Sequence, residues 1–122
     1  MTDDLVERAR AAAERAYAPY SHYHVGAALR ALDGRVFEGV NVENAAYPLG
    51  ICAEKAAIAA AVTAGYRPGG LEAIGITASP CGGCRQWLFE FRLERVTFAN
   101  THGEIVSYRP EDLLPETWEL PG

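Results

Sequence analysis

Two short stretches decide how this chain is read: Cys52-Ala53-Glu54 and Pro80-Cys81-Gly82-Gly83-Cys84. Between them they hold all 3 cysteines of the 122-residue sequence. Three thiolates fill three of the four tetrahedral positions around a zinc ion. A structural zinc site uses four protein ligands, whereas a catalytic one leaves a place for water. The spacing therefore points to chemistry on a bound Zn²⁺, one per subunit. Glu54, two residues from Cys52, supplies a carboxylate able to move that water's protons. A hydrolytic deamination needs this arrangement of a zinc-activated water beside a proton shuttle.

Both stretches fall where helices are expected to begin. Cys52–Ala64 is alanine-rich and closed by Gly65. In Cys81–Phe91, the residues Cys84, Trp87, Leu88 and Phe91 share a face at i, i+3, i+4, i+7, which predicts a second buried helix. Helix starts carry free N–H groups and partial positive charge, and both stabilise thiolates. Lys55 and Arg85, each beside a ligand, are placed to offset the net negative charge of zinc with three thiolates. Other readings stay open on residues alone. The Cys-x-x-Cys pair also occurs in structural zinc modules, and His22, His24 or His102 is then a possible fourth ligand.

Working outward, residues 3–17 show a helical stripe of Leu5, Val6, Ala9, Ala12, Ala13, Ala16 and Tyr17, capped by Thr2 or Asp3 and ended by Pro19. Val25–Ala31 and Arg35–Val42 flank Leu32-Asp33-Gly34. They read as a hairpin whose Asp-Gly turn places both residues at positive φ. Asn41–Gly50 is a loop. Glu72–Ala78, Glu94–Ala99 and Glu104–Tyr108 read as strands, and Pro110–Leu114 as a helical turn. The order α-β-β-α-β-α-β-β predicts one α/β domain over residues 1–122, with helices covering a mixed sheet.

Composition narrows the function. The net charge is -5 with no basic stripe, which excludes a nucleic-acid strand as the ligand. No apolar run approaches the ~20 residues of a membrane span. The N-terminus lacks a signal-peptide core, so a cytoplasmic protein with reduced cysteines is expected.

The Cys-Ala-Glu and Pro-Cys-x-x-Cys pairing resembles the zinc-dependent cytidine deaminases, within the cytidine and deoxycytidylate deaminase superfamily. That superfamily's chemistry is a standard case of zinc deamination. The similarity extends through Ala18-Pro19-Tyr20-Ser21, Val25–Leu29, Asn41–Ile51, Pro80–Gln86 and Leu113-Leu114-Pro115. It implies a three-layer α-β-α fold with a five-stranded mixed sheet, and a homotetramer with shared active sites. It also implies deamination of cytidine or 2′-deoxycytidine in pyrimidine salvage. By the same resemblance Cys52, Cys81 and Cys84 are zinc ligands, Glu54 is the proton shuttle, and the N–H of Ala53 meets the pyrimidine carbonyl. Asn41 and Glu43 hold the ribose hydroxyl, Tyr23 packs on the base, and Val25 is a further substrate-binding residue. Tyr47 reaches a neighbouring subunit's site, where Trp118 of another subunit covers the base. Several positions depart from the family pattern. Lys55 replaces a frequent Arg, Tyr23 and Trp118 replace Phe, and the Ile76–Pro80 link is short. A modified cytosine nucleoside or another amino-heterocycle is therefore an alternative substrate.

Overall fold

The computed structural model describes residues 2–120, with side chains from Asp4 onward. The expected caps, Thr2 and Asp3, have side chains outside the described ones. The chain runs α1 (Thr2–Ala13), β1 (Gly26–Ala31), β2 (Val36–Val40), a 3₁₀ turn at Tyr47–Leu49, α2 (Ala53–Thr63), β3 (Leu71–Ile76), α3 (Gly82–Glu90), β4 (Arg95–Ala99), β5 (Ile105–Tyr108) and α4 (Pro110–Leu113). The strands form one 5-stranded sheet in the order β2-β1-β3-β4-β5. The β3–β4 pair is parallel and joined through α3, while the other neighbours are antiparallel. This is the mixed sheet expected from the alternation of elements.

Glycines set which helix covers which face. A β-carbon on Gly75 would lie 2.5 Å from Leu5 C, and one on Gly26 would lie 2.0 Å from Ala9 O. The backbone of α1 therefore sits directly on β1 and β3. Gly39 plays the same part on the other side, where an added β-carbon would meet Ala57 N at 2.4 Å. Gly39 pairs with Ala27, the neighbour of Gly26, and side chains alternate along a strand. Hence α2 lies on the face opposite α1, which makes three layers. Ala53, Ala57 and Ala61 keep α2 slim along that contact and are fully buried. The larger core, with Leu29, Ile58, Ile74, Ile76, Leu88 and Val96, lies between the sheet and α2 and α3. A smaller one, with Leu5, Ala9, Ala28 and Ala73, lies under α1.

Three expectations need correction. The first helix ends at Ala13, not Tyr17. Tyr17 instead pairs with the chain beyond β2: its N–H donates to Asn41 O at 3.1 Å, and its carbonyl accepts from Glu43 N at 2.9 Å. A helical Tyr17 could not offer both groups sideways, and it is 56% exposed rather than on the core stripe. The hairpin turn is also different. Gly34 alone takes positive φ, at 95°, while Asp33 does not. Gly34 N donates to Ala31 O at 2.9 Å, and Arg35 O accepts from Ala31 N at 2.8 Å. This is the three-residue loop with a left-handed glycine at its end. The Asp33 carboxylate holds it by accepting from Arg35 N and from the Tyr66 hydroxyl. Finally, α3 is buried on one side only. Cys84 and Leu88 are sealed, whereas Trp87 stacks on Phe91 toward the surface.

Candidate metal and substrate site

The start of β1, the end of β2 and the end of β3 lie at one end of the sheet, as the pairings Gly26↔Val40 and Ala27↔Ile76 show. The segments leaving that end carry the predicted site residues other than Trp118, which follows β5, a strand that ends at the other end of the sheet. Cys52 is the N-cap of α2 and Cys81 the N-cap of α3, with Cys84 in the first turn of α3. Their sulfur atoms lie within 4.8 Å of one another. Zn–S bonds of ~2.3 Å in a tetrahedron put thiolates ~3.8 Å apart, so a small closure of this cluster fits zinc.

The electrostatics fit a cation as well. Burial pushes the Cys52 and Cys84 thiols up, and the Glu54 carboxylate adds to both shifts. Burial acts on Cys81 in the same direction, but hydrogen bonds led by the Cys84 N–H outweigh it and leave that thiol below its usual range. The Cys84 N–H donates to Cys81 Sγ at 3.5 Å, as a helix start allows. Three thiolates this close repel one another unless a cation joins them.

Among the described residues no histidine, aspartate or glutamate completes this group. His24 Nδ1 lies 3.2 Å from Ala13 O, and His102 is held in the β4–β5 turn, where its N–H donates to Asn100 Oδ1. The described residues thus group three sulfurs and no fourth ligand, which weighs against a closed structural site.

Glu54 sits in the first turn of α2 and is 4% exposed. Burial raises its carboxyl above the usual range, against its own backbone N–H, the Cys84 thiol and the Lys55 charge. A buried carboxyl with an elevated pKa holds and releases protons near neutrality better than an exposed one. Lys55 lies near the start of α3, with Nζ 6.0 Å from the Trp87 ring. Arg85 bridges two carbonyls. Its Nε donates to Pro80 O at 2.8 Å and its NH1 to Leu113 O at 3.2 Å, bracing the cysteine loop against α4.

The remaining predicted residues divide into a knit loop and exposed aromatics. Asn41 Oδ1 accepts from Val25 N at 2.8 Å, and Asn41 Nδ2 donates to Tyr23 O at 2.9 Å. Glu43 Oε1 accepts from Tyr20 N and Ser21 N, and Glu43 Oε2 from the Ser21 hydroxyl. These bonds, led by the hydroxyl, keep the Glu43 carboxyl below its usual range. The sequence reading brought Asn41 and Glu43 together but missed Ser21. Its signal was a serine two residues before an aromatic, the pattern of a side-chain-bonded turn. Tyr23, Tyr47 and Trp118 are 62%, 91% and 69% exposed in the protomer, and Val25 packs against the main core.

Fold and cluster together define a class: an α/β protein with a three-thiolate zinc site at the starts of two helices and a buried carboxylate beside it. Residues 1–100 match the model of the cytidine and deoxycytidylate deaminase zinc-binding region, and the chain belongs to that family. Its relatives include cytidine deaminase from Sporosarcina psychrophila, 40% identical over 121 residues, covering 93% of this chain and 88% of that one. A cytidine deaminase from Mycobacterium tuberculosis is 48% identical over 113 residues, covering 89% and 83%. The crystal structure of cytidine deaminase from Burkholderia pseudomallei superimposes with a TM-score of 0.90 at 44% identity, covering 97% of this chain and 99% of that one.

Proposed function

We propose that this chain, acting as a single domain, hydrolyses cytidine and 2′-deoxycytidine to the uridine products and ammonia. The carrying observation is Glu54, buried beside three converging thiols at the start of the same helix as Cys52. The likeness to cytidine deaminases over almost the whole chain supports the choice of substrate.

Cys52, Cys81 and Cys84 hold the zinc. When bound, zinc supplies a Lewis acid that lowers the pKa of water to ~7. Glu54 takes a proton from the attacking water and delivers it to ring N3. Once the C4–O bond has formed, Glu54 takes the proton of the new C4 hydroxyl and passes it to the amino group, so that the C4–N bond breaks, ammonia leaves and C4 keeps a carbonyl. Ala53, at the first position of α2, has a backbone N–H that the helix leaves free, suited to the pyrimidine carbonyl. Asn41 retains a second Nδ2–H and Glu43 retains acceptor capacity, so amide and carboxylate can grip a sugar hydroxyl together. Tyr23 packs on the base, and Val25 adds an apolar contact to the substrate. Lys55 offsets the negative charge of the metal site from close by, and Arg85 adds its charge from the bracket to Pro80.

The exposed Tyr47 and Trp118 support a shared site. Aromatic side chains left in solvent on one protomer suit burial by a second. The proposed assembly is a homotetramer in which Tyr47 and Trp118 complete a neighbour's pocket. Three free cysteines suit a reducing cytoplasm, and the reaction suits pyrimidine salvage. No helix among the described residues is long and apolar enough to cross a membrane.

The test is a panel of cytidine, deoxycytidine, 5-substituted cytidines and free cytosine with zinc-loaded protein, following ammonia release. Turnover of cytidine and deoxycytidine above the other substrates is expected. Faster turnover of a modified cytosine or another amino-heterocycle would transfer the assignment to that substrate. A monomeric mass with full activity would remove the shared-site reading.

A further inference from the structure

We propose that Ser21 is a positioning residue, whose hydroxyl joins the Glu43 carboxylate and the Tyr23 backbone into one unit that sets the sugar end of the site. This rests on the reading that Glu43 meets the sugar and Tyr23 the base.

The Ser21 hydroxyl makes two bonds in opposite senses. It donates to Glu43 Oε2 and accepts the Tyr23 N–H at 3.0 Å. Glu43 Oε1 takes two further donors, Tyr20 N at 3.0 Å and Ser21 N at 3.1 Å. A glutamate on an exposed loop would otherwise sample several rotamers. Three charge-assisted bonds fix this one, and two of the donors belong to Ser21. From the other side, Asn41 Nδ2 holds the Tyr23 carbonyl at 2.9 Å. The Tyr23 backbone is thus pinned at its N–H through Ser21 and at its C=O through Asn41.

His22, between Ser21 and Tyr23, adopts φ of 59°. That left-handed conformation is disfavoured for residues with a β-carbon and persists where surrounding bonds over-determine it. Its N–H donates to Ala18 O at 3.0 Å, which closes the turn. The turn is thus closed by the backbone at Ala18 and by the Ser21 hydroxyl at Tyr23, and that hydroxyl keeps its own proton for Glu43. Alanine at position 21 deletes donor and acceptor together, whereas threonine keeps both.

The experiment measures kcat and KM for zinc-loaded parent, Ser21→Ala and Ser21→Thr, on cytidine and on 2′,3′-dideoxycytidine, together with zinc content. Ser21→Ala is expected to raise KM for cytidine about tenfold, the size of one lost hydrogen bond to a charged group. Its kcat and zinc content should stay within about twofold. On the dideoxynucleoside, which lacks the sugar hydroxyls Glu43 would grip, the KM change should stay within about twofold. Ser21→Thr should recover most of the cytidine KM. An equal loss on both nucleosides, a fall in zinc content, or no effect on cytidine overturns the positioning role. No turnover of cytidine by the parent overturns the functional reading itself, and is told apart from the other outcomes by the parent alone.

Discussion

The backbone N–H of Cys84 donates to the Sγ of Cys81 at 3.5 Å, across the first turn of α3. A helix start thus does two jobs. It spaces two sulfurs on one side of the chain, and it supplies a donor that favours the thiolate over the thiol. Because the bond belongs to the helix, loss of α3 is loss of the metal site.

Substitution of a cluster cysteine couples metal to fold. Cys81→Ala leaves two thiols, and zinc content should fall from about one per chain to near zero. Metal binding stabilises the folded state, so Tm should also fall, by more than ~5 °C. Metal analysis beside a thermal melt checks both. Retained stoichiometric zinc would remove Cys81 from the ligand set.

Glu54 separates chemistry from binding. Glu54→Ala removes a buried carboxyl but no sulfur, so zinc content should be unchanged. Turnover should drop ~10²–10⁴-fold, the usual worth of a positioned acid-base group. Full activity in that variant would assign the proton transfers elsewhere.

The glycines under the helices are the sharpest stability test. Gly75→Ala forces a β-carbon to within 2.5 Å of the Leu5 backbone, and Gly39→Ala forces one to within 2.4 Å of Ala57 N. Each should cost ~1–3 kcal/mol in urea unfolding, as overpacking does. Their side effects should differ. Gly39→Ala pushes on α2, which carries Cys52 and Glu54, and should weaken zinc retention against a chelator. Gly75→Ala pushes on α1, across the sheet, and should leave zinc retention closer to the parent.

Arg8 and Arg15 both reach the Glu38 carboxylate, tying α1 and the turn after it to β2. Burial acts to raise this carboxyl, but the arginine bonds prevail and hold it below 4.5. A depressed folded pKa contributes stability above the unfolded pKa and loses it as pH falls through the folded one. The difference in urea midpoint between the parent and Glu38→Gln should correspond to ~0.2–1 kcal/mol at pH 7, as for exposed pairs. Followed downward, it should narrow as pH drops below 4.5. A difference that widens in acid would contradict the assigned direction.

Much of this protein was legible in its sequence because the decisive features are local. Two cysteines three apart at a helix start, a third at another helix start and a nearby glutamate form a pattern that needs no tertiary knowledge to read. The order of helices and strands followed from periodicity and from Gly and Pro punctuation. Where local rules compete with distant partners, the sequence misled. Asp33-Gly34 suits a two-residue turn, but the Tyr66 hydroxyl and Arg35 N–H hold Asp33 in a longer one. Residues up to Tyr17 suit a helix, but pairing with Asn41 and Glu43 draws Tyr17 away.

The sequence by itself brought out the three cysteines, the glutamate beside one of them and the alternation of elements, since each motif and each periodicity is read from residues close together along the chain. The tertiary structure alone decided which helix covers which face, because that depends on where Gly26, Gly39 and Gly75 let a backbone approach. It also decided what Arg85 and Ser21 bond to. Their partners, Leu113 for one and Glu43 for the other, lie 28 and 22 residues away along the chain and meet them only once the sheet has ordered its ends.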